Sequence, residues 1–484
     1  MKEKVFGALM ALIVLASTTG LWFCHKGKIT FLTDLKPETE VLLQYQKKTD
    51  GNLISVKKKS KPDGKISFEV KGKTLSYFKV NVPENTVIKN IQFRGWKKQN
   101  IILNAQNEYT GKILRNRISI TDWYNLIVLG GLGYYLGWFL IHSLKYGFPK
   151  DDPKLPKMLN IEFLRIVFTL IVVIHHLNNN FQELKIWNAG WLGVEFFFIL
   201  SGFLLVLTFR PEKTAISFIK NRWIRFAPLV IFGGVLSSLF FDHVRAKYFV
   251  ESIFFYSYDF DFIKWYYNKP VWYIYVLFWV GIFYFYLMKA FKKEIVNLLM
   301  SIITVSSLIY FMRYNVTTLG IFSGWIMRGS ACMGLGYFLA EIYKNTENAV
   351  IVRKKTYNSF ELFILLFSIF NVIFIKQLYM DLFVSCISFM ILILLFSLRK
   401  GAISNFFEKP VFAKIARYCL SVYLTHWVVI RHIFPIYLEK YKEFFLTHTF
   451  VPFSLVLISV CLLGVVTHHA IELPATRALK KWLG

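Results

Sequence analysis

The sequence predicts a multi-pass α-helical membrane protein with a small β-sandwich-like domain near its N-terminus. Three observations point there. Hydrophobic residues make up 55% of the 484-residue chain and charged residues only 18%, against roughly 25% charged in soluble domains. Mean hydropathy is +0.45, and apolar runs of about 20 residues, enough to cross a bilayer, recur from Val5 almost to the last residues. Between the first two runs lies a polar, lysine-rich stretch with a different period.

In chain order, residues 1–24, "MKEKVFGALMALIVLASTTGLWFC", begin with lysines and turn apolar. They read as a transmembrane anchor or a signal segment, and either reading puts the next residues outside the cytoplasm. Cys24 follows Phe23 rather than a small residue, which argues against a lipidated cysteine. Residues 25–121 carry turn signals ("KTDGN", "KPDGK", "VPENT") between short alternating segments ("EVLLQYQ", "KISFEV", "SYFKVNV", "VIKNIQF"). Period-two alternation broken by Gly, Pro, Asn and Asp predicts a small antiparallel β domain. No catalytic constellation lies within it, so it reads as a binding or spacing module. Residues 122–146 form another predicted span and 147–159, "GFPKDDPKLPKML", a cytoplasmic linker.

From residue 160 to 477 the spans are expected at 161–179, 190–209, 223–241, 271–290, 295–312, 319–343, 358–376, 379–398, 412–433 and 451–472, with a cytoplasmic tail at 478–484. With the N-terminus inside, the cytoplasmic segments include "RPEKTAISFIKNRWIR", "KAFKKE" and "KNTENAVIVRKK". Lys and Arg favour this set by roughly three to one, which supports the orientation and an extracytoplasmic β domain. The net charge of +29 is therefore a topology signal, not a nucleic-acid footprint; no basic groove motif is present. The five cysteines, Cys24, Cys332, Cys386, Cys419 and Cys461, show neither a disulfide framework nor metal-ligand spacing. "NVT" at Asn315 is read as incidental.

Ionisable residues inside spans cost about 2.5–3.5 kcal/mol each on insertion scales, so those that occur need a reason. In "FLRIVFTLIVVIHHL", Arg165 and His176 lie eleven residues apart. At 100° per residue this is three turns plus roughly 20°, so the two share a face about 16 Å apart along the axis. A lone arginine there can snorkel to the interface. A cofacial Arg and His suit a lined pathway with a base at one end. "WLGVEFFFILSGFLL" places Glu195 at the same end as His176, where a carboxylate can orient an imidazole; Ser201-Gly202 permits close helix packing. In "FIKNRWIRFAP", Arg222 and Arg225 are three apart on one face, and arginine forks suit phosphate oxygens. "ARYCLSVYLTHWVV" brings Ser421, Tyr423 and His426 into a late span, and Glu472 stands two residues before Pro474.

Taken together these segments resemble the acyltransferase-3 family of integral-membrane acyltransferases, which modify bacterial surface glycans. The likeness runs from about Asn160 to Arg477 and rests on six motifs in order: "NIEFLRIVFTLIVVIHH", "WLGVEFFFILSGFLL", "FIKNRWIRFAP", "VWYIYVLFW", "CLSVYLTHW" and "IELPATRALK". It implies a ten-span acyltransferase core, an acyl-CoA donor (acetyl-CoA above all), no metal, and O-acylation of an extracytoplasmic glycan such as O-antigen, capsule or exopolysaccharide. By the same likeness His176 is catalytic, and Glu195 is expected to join it as the carboxylate that orients the imidazole. Arg165, Arg222 and Arg225 line the donor path; in the mechanism that fits these residues, Trp272, Ser421, Tyr423 and His426 are expected to shape the acceptor site. Where many members have a glutamate five residues after the tryptophan, this chain has Leu277. No esterase-like domain with a Gly-Asp-Ser-type motif is appended. The implied partners are a glycan or lipid-linked oligosaccharide acceptor, the bilayer of the inner (plasma) membrane, and glycan-assembly proteins through the β domain; nucleic acid is not among them. The rival classes are a transporter or flippase of a lipid-linked sugar, since intramembrane charges also mark substrate paths, and a receptor with an outer sensing domain. Neither the related halves nor the matching broken helices of a transporter stand out.

Overall fold

The computed structural model describes residues 26–47, 53–71, 74–94, 98–115, 158–178, 189–240, 246–256, 268–314, 318–319, 322–348, 350–351, 353–374, 379–441 and 450–483, with scattered positions between 7 and 145. The anchor expected within 1–24 and the linker at 147–159 lie largely outside these residues, as does about half of the span expected at 122–146, whose described positions are helical. The chain divides into two compact units, Met1–Gly147 with Asp242–Val244, and Phe148–Phe241 with Arg245–Gly484.

In the first unit the alternating segments form eight strands: β1 (Lys26–Thr33), β2 (Glu40–Lys47), β3 (Leu53–Lys59), β4 (Lys65–Lys71), β5 (Thr74–Asn81), β6 (Ile88–Arg94), β7 (Lys98–Asn100) and β8 (Glu108–Arg115). They make two antiparallel sheets, ordered β4-β1-β6-β7 and β3-β2-β5-β8. Every second side chain enters one shared core: Ile29 and Phe31 from β1, Val41, Leu43 and Tyr45 from β2, Phe68 from β4, Phe78 from β5 and Phe93 from β6. The period of the sequence thus becomes the two faces of each sheet. At the turn before β4, Gly64 has φ +65°, and a side chain there would meet the carbonyl of Thr33.

The second unit is helical. Its elements are α1 (Leu159–Asn178), α2 (Gly193–Leu207), α3 (Ala215–Ser238), α4 (Ala246–Phe254), α5 (Val271–Ala290), α6 (Lys293–Tyr314), α7 (Gly324–Thr346), α8 (Lys354–Phe374), α9 (Tyr379–Leu398), α10 (Ala402–Phe407), α11 (Pro410–Ala416), α12 (Cys419–Val428), α13 (Phe434–Lys440), α14 (Phe450–Thr467) and α15 (Leu473–Leu483). Two-residue strands β9 (Thr318–Leu319) and β10 (Phe322–Ser323) pair before α7. Helix occupies each of the ten ranges expected to span. Among the described residues, seven stretches are long and apolar enough to cross a membrane. The remaining three ranges correspond to α3, α7 and α9. α3 carries Lys220, Arg222 and Arg225 and α7 carries Arg328, Glu341 and Lys344, while the apolar part of α9, Leu382–Leu398, is shorter.

Helix ends gather at one pole of this unit. Lys289, near the end of α5, donates to the carbonyls of Pro211 and Lys213 before α3. Lys293 pairs with Glu341, joining α6 to α7, and Lys400 reaches the carbonyl of Thr346. The Glu408 carboxylate caps the first amides of α1, Leu159 and Asn160. This pole therefore carries Lys213, Lys289, Lys292, Lys293, Lys344, Lys354 and Lys355, all exposed. α2 and α7 approach most closely: a Cβ on Gly202 would meet the Met333 carbonyl, and one on Gly336 the Ile199 carbonyl. Gly202 thus has the packing role its small size suggests. Two π turns, Val429–Ile433 and His468–Glu472, immediately precede Pro435 and Pro474. Proline has no N–H for the α pattern and crowds the carbonyl four residues back, and a widened turn relieves both.

Candidate active site

α1 begins at the lysine-rich pole with Glu162 and Arg165 and ends at the other with His175 and His176. The Arg165 Nη1 atom donates to Glu162 three residues earlier, so α1 neutralises its own arginine. Arg165 faces a cavity of about 440 Å³ whose polar lining includes Glu162, Thr169, Ser201, Arg222, Arg225 and Tyr273. Leu200, Leu204, Phe226, Ile274 and Leu277 supply apolar wall. The arginines expected along the donor path are thus brought together from α1 and α3.

They are committed to different degrees. Arg165 is ion-paired. Arg222 donates through Nη1 to the Leu277 carbonyl at 3.0 Å and lies 4.8 Å from the Phe218 ring centroid. Its guanidinium has room because α5 carries glycine at 281, where a Cβ would strike it. Arg225 has neither a hydrogen bond nor an ion pair among the described residues, and its exposed surface borders the cavity. Three guanidinium groups face one lining carboxylate, so the cavity is electropositive in an apolar surround, where charge acts strongly.

Tyr273 and Tyr423 form the end of the cavity toward the other pole, with ring centroids 5.5 Å apart. The Tyr423 hydroxyl donates to the Pro270 carbonyl at 2.9 Å, and its ring lies 5.7 Å from that of His426. His426 Nε2 is 2.8 Å from His176 Nδ1, and His426 Nδ1 is 2.6 Å from the Tyr423 carbonyl oxygen. The rings lie nearly parallel, 4.9 Å apart. A carbonyl only accepts, so His426 Nδ1 carries its proton. With both imidazoles neutral, His426 Nε2 is then an acceptor and His176 Nδ1 the donor. His176 Nε2 is left with its lone pair, as a proton-accepting base requires.

The remaining expected site residues fall elsewhere. Glu195 does not hold the imidazole. Its Oε1 accepts from Arg328 Nε of α7 in a buried ion pair, and Oε2 has no hydrogen-bond partner among the described residues. The Arg328 guanidinium lies 5.0 Å from the Trp191 ring centroid, 5.1 Å from Trp272 and 5.6 Å from Trp325. Trp272 is thus part of an indole cage around an arginine. Ser421 is buried nearer the lysine-rich pole, donating to Glu472 Oε2 at 2.6 Å. The same oxygen is 2.8 Å from His468 Nδ1.

Sequence reasoning missed Arg328 and Tyr273 and gave Glu162, His468 and Glu472 no partners. The i, i+3 spacing of Glu162 and Arg165 was a usable signal, as was an arginine inside the span expected at 319–343. Among the described residues no group of three or more His, Cys, Asp or Glu side chains is placed to hold a metal ion.

Neither the curated proteins nor the solved structures yield a match. A family model described as an acyltransferase domain matches residues 158–469, a stretch that holds the arginine-lined cavity, the histidine pair and the caged arginine. The chain belongs to the acyltransferase-3 family of membrane acyltransferases.

Proposed function

We propose that the protein moves an acyl group, acetyl in the simplest case, from cytoplasmic acyl-CoA to a hydroxyl of an extracytoplasmic glycan. The observation that carries this reading is the joint presence of an electropositive cavity with an uncommitted guanidinium, Arg225, and a tautomer-fixed histidine at the far end of α1. In this reading all ten helical ranges cross the bilayer. The lysine-rich pole faces the cytoplasm, in keeping with the positive-inside bias, and the β unit lies outside, between two further spans. α3 crosses with Arg222 and Arg225 turned to the cavity, and α7 with Arg328 turned to Glu195.

The donor's phosphates rest on Arg225 and Arg222. The thioester arm runs along the Arg165–Thr169 face of α1 and past Tyr273 and Tyr423 to reach His176. His176 Nε2 removes the proton of the acceptor hydroxyl as its oxygen attacks the thioester carbonyl carbon. The carbon–sulfur bond breaks, the ester forms, and the proton passes from the imidazolium to the CoA thiolate. A route in which His176 Nε2 is itself acylated and then deacylated by the hydroxyl uses the same geometry. Trp272 and its indole neighbours flank the acceptor side.

Membrane vesicles carrying the native chain or His176→Ala, loaded with radiolabelled acetyl-CoA, test the reading. Label on surface glycan from the native chain only supports it. Equal transfer by an equally expressed His176→Ala variant overturns the mechanism. No transfer by either overturns the donor or acceptor assignment and gives the transporter reading priority, with sugar-carrier counterflow as its assay.

A further inference from the structure

The two outer faces of the β-sandwich treat their lysines differently. On the β3-β2-β5-β8 sheet three outward lysines have a close carboxylate: Lys57 with Glu40 at 3.1 Å, Lys59 with Glu38 at 2.7 Å and Lys79 with Glu108 at 2.9 Å. The opposite sheet lacks this matching. Lys28 of β1 stands between Glu69 of β4 and Arg94 of β6 in the register, and Lys98 of β7 stands opposite Arg94. Further along β1, Leu32 is flanked by Lys65 and Lys89. Lys28, Lys65, Lys89 and Arg94 are all exposed and make no side-chain ion pair among the described residues. Glu69 is the outward carboxylate of β4. Asp34 and Asp63, at the turn end, accept from the backbone amides of Val87 and Lys65.

Like charges directly opposite across strands are destabilising. Neighbouring strands are about 4.8 Å apart, so the Lys28–Arg94 row sets cationic positions at that spacing on β1 and β6. Between the two cationic rows lies a neutral row of Thr30, Ser67 and Gln92, with Thr30 Oγ1 3.1 Å from Ser67 Oγ. Residues 26–115 as a whole hold 19 Lys and Arg against 8 Asp and Glu.

We infer that the outer face of the β4-β1-β6-β7 sheet is a docking surface for an anionic polysaccharide, a chain bearing repeated carboxylate or phosphate groups. Cations at strand spacing meet its charges, and the hydroxyl and amide row meets its sugar hydroxyls. A lipid surface fits less well. The aromatic residues of β1, β4 and β6, namely Phe31, Phe68 and Phe93, are all turned into the core, so these strands offer no aromatic anchor for a membrane interface. The inference rests on the extracytoplasmic placement proposed above and names the acceptor, or the polymer that carries it, as a polyanion.

The test uses the full chain in phosphatidylcholine nanodiscs and fluorescent polygalacturonate, read by anisotropy at several salt concentrations. The native chain is expected to bind more weakly as salt rises, and neutral dextran is expected not to bind. The combined Lys28→Gln, Lys89→Gln, Arg94→Gln variant is expected to lose about tenfold or more in affinity, the scale of removing several polyanion contacts. Lys57→Gln with Lys79→Gln, on the other face, is expected to bind as the native chain does. Three results overturn the inference: absence of polygalacturonate binding, equal binding by the triple variant, or capture of phosphatidylglycerol vesicles in place of the polysaccharide. Protease access to the β unit on intact cells tests its placement separately, so failure of the topology and failure of the docking surface remain distinct.

Discussion

Replacing His426 by alanine removes a side chain that touches neither the arginine cavity nor, in the proposed mechanism, the acyl group. Its expected effect on turnover is nevertheless large. Two contacts fix its role: 2.6 Å from Nδ1 to the Tyr423 carbonyl and 2.8 Å from Nε2 to His176 Nδ1. Without the ring, the His176 Nδ1–H loses its acceptor among the described residues, and the tautomer with the proton on Nε2 is no longer disfavoured. That tautomer presents no lone pair to a substrate hydroxyl. General-base catalysis contributes about 10²–10⁴-fold, equivalent to about 3–5 kcal/mol of barrier, and most of that should go. The stranded donor also costs about 1–3 kcal/mol of stability, so rates are normalised to folded protein. The assay is acyl-CoA turnover in membranes for His426→Ala, His426→Gln, His176→Ala and the double alanine variant. The glutamine amide oxygen can still accept from His176 Nδ1, so His426→Gln should retain more activity than His426→Ala. The double variant should be no slower than His176→Ala alone, because residues acting as one unit are not additive. A folded His426→Ala protein that turns over within about twofold of native, beside an inactive His176→Ala, refutes the tautomer reasoning.

Two further outcomes follow from the charged groups. Arg225→Gln should raise KM for the acyl donor by roughly tenfold or more with kcat little changed, the scale of one lost charge-assisted bond; Arg165→Gln should instead lower stability, because it strands the half of an ion pair held by Glu162, and thermal melting with and without CoA separates the two effects. Arg328→Leu leaves the buried Glu195 carboxylate without its partner and should destabilise the fold by about 3–5 kcal/mol, whereas adding Glu195→Leu to it should recover much of that loss in a detergent melting assay.

The order of segments, their type and the membrane setting were legible in the chain because each depends on local periodicity. Alternation over 25–121 made two sheets whose inward faces close on one core, and each of the ten long apolar ranges became helix. The eleven-residue spacing of Arg165 and His176 placed both on one stripe of α1. The three arginines reached one cavity because two of them lie one turn apart on α3 and that helix faces the start of α1 across the cavity. Pairing across helices was not legible. His176 finds its partner 250 residues away in His426, and Glu195 finds Arg328 across 133 residues. Ser421 turned to Glu472 rather than to an acceptor. Helical period says which side of a helix is apolar or charged, and it is silent on which other helix lies opposite. That choice is made by close packing, as where Gly202 and Gly336 let α2 and α7 approach at backbone distance. The packing brings Arg328 to Glu195 and leaves the imidazole of His176 to His426. A buried charge or ring nitrogen bonds to whatever partner the packed helices bring within reach, so the sequence by itself determined which residues needed partners, and only the tertiary structure decided which partners they have.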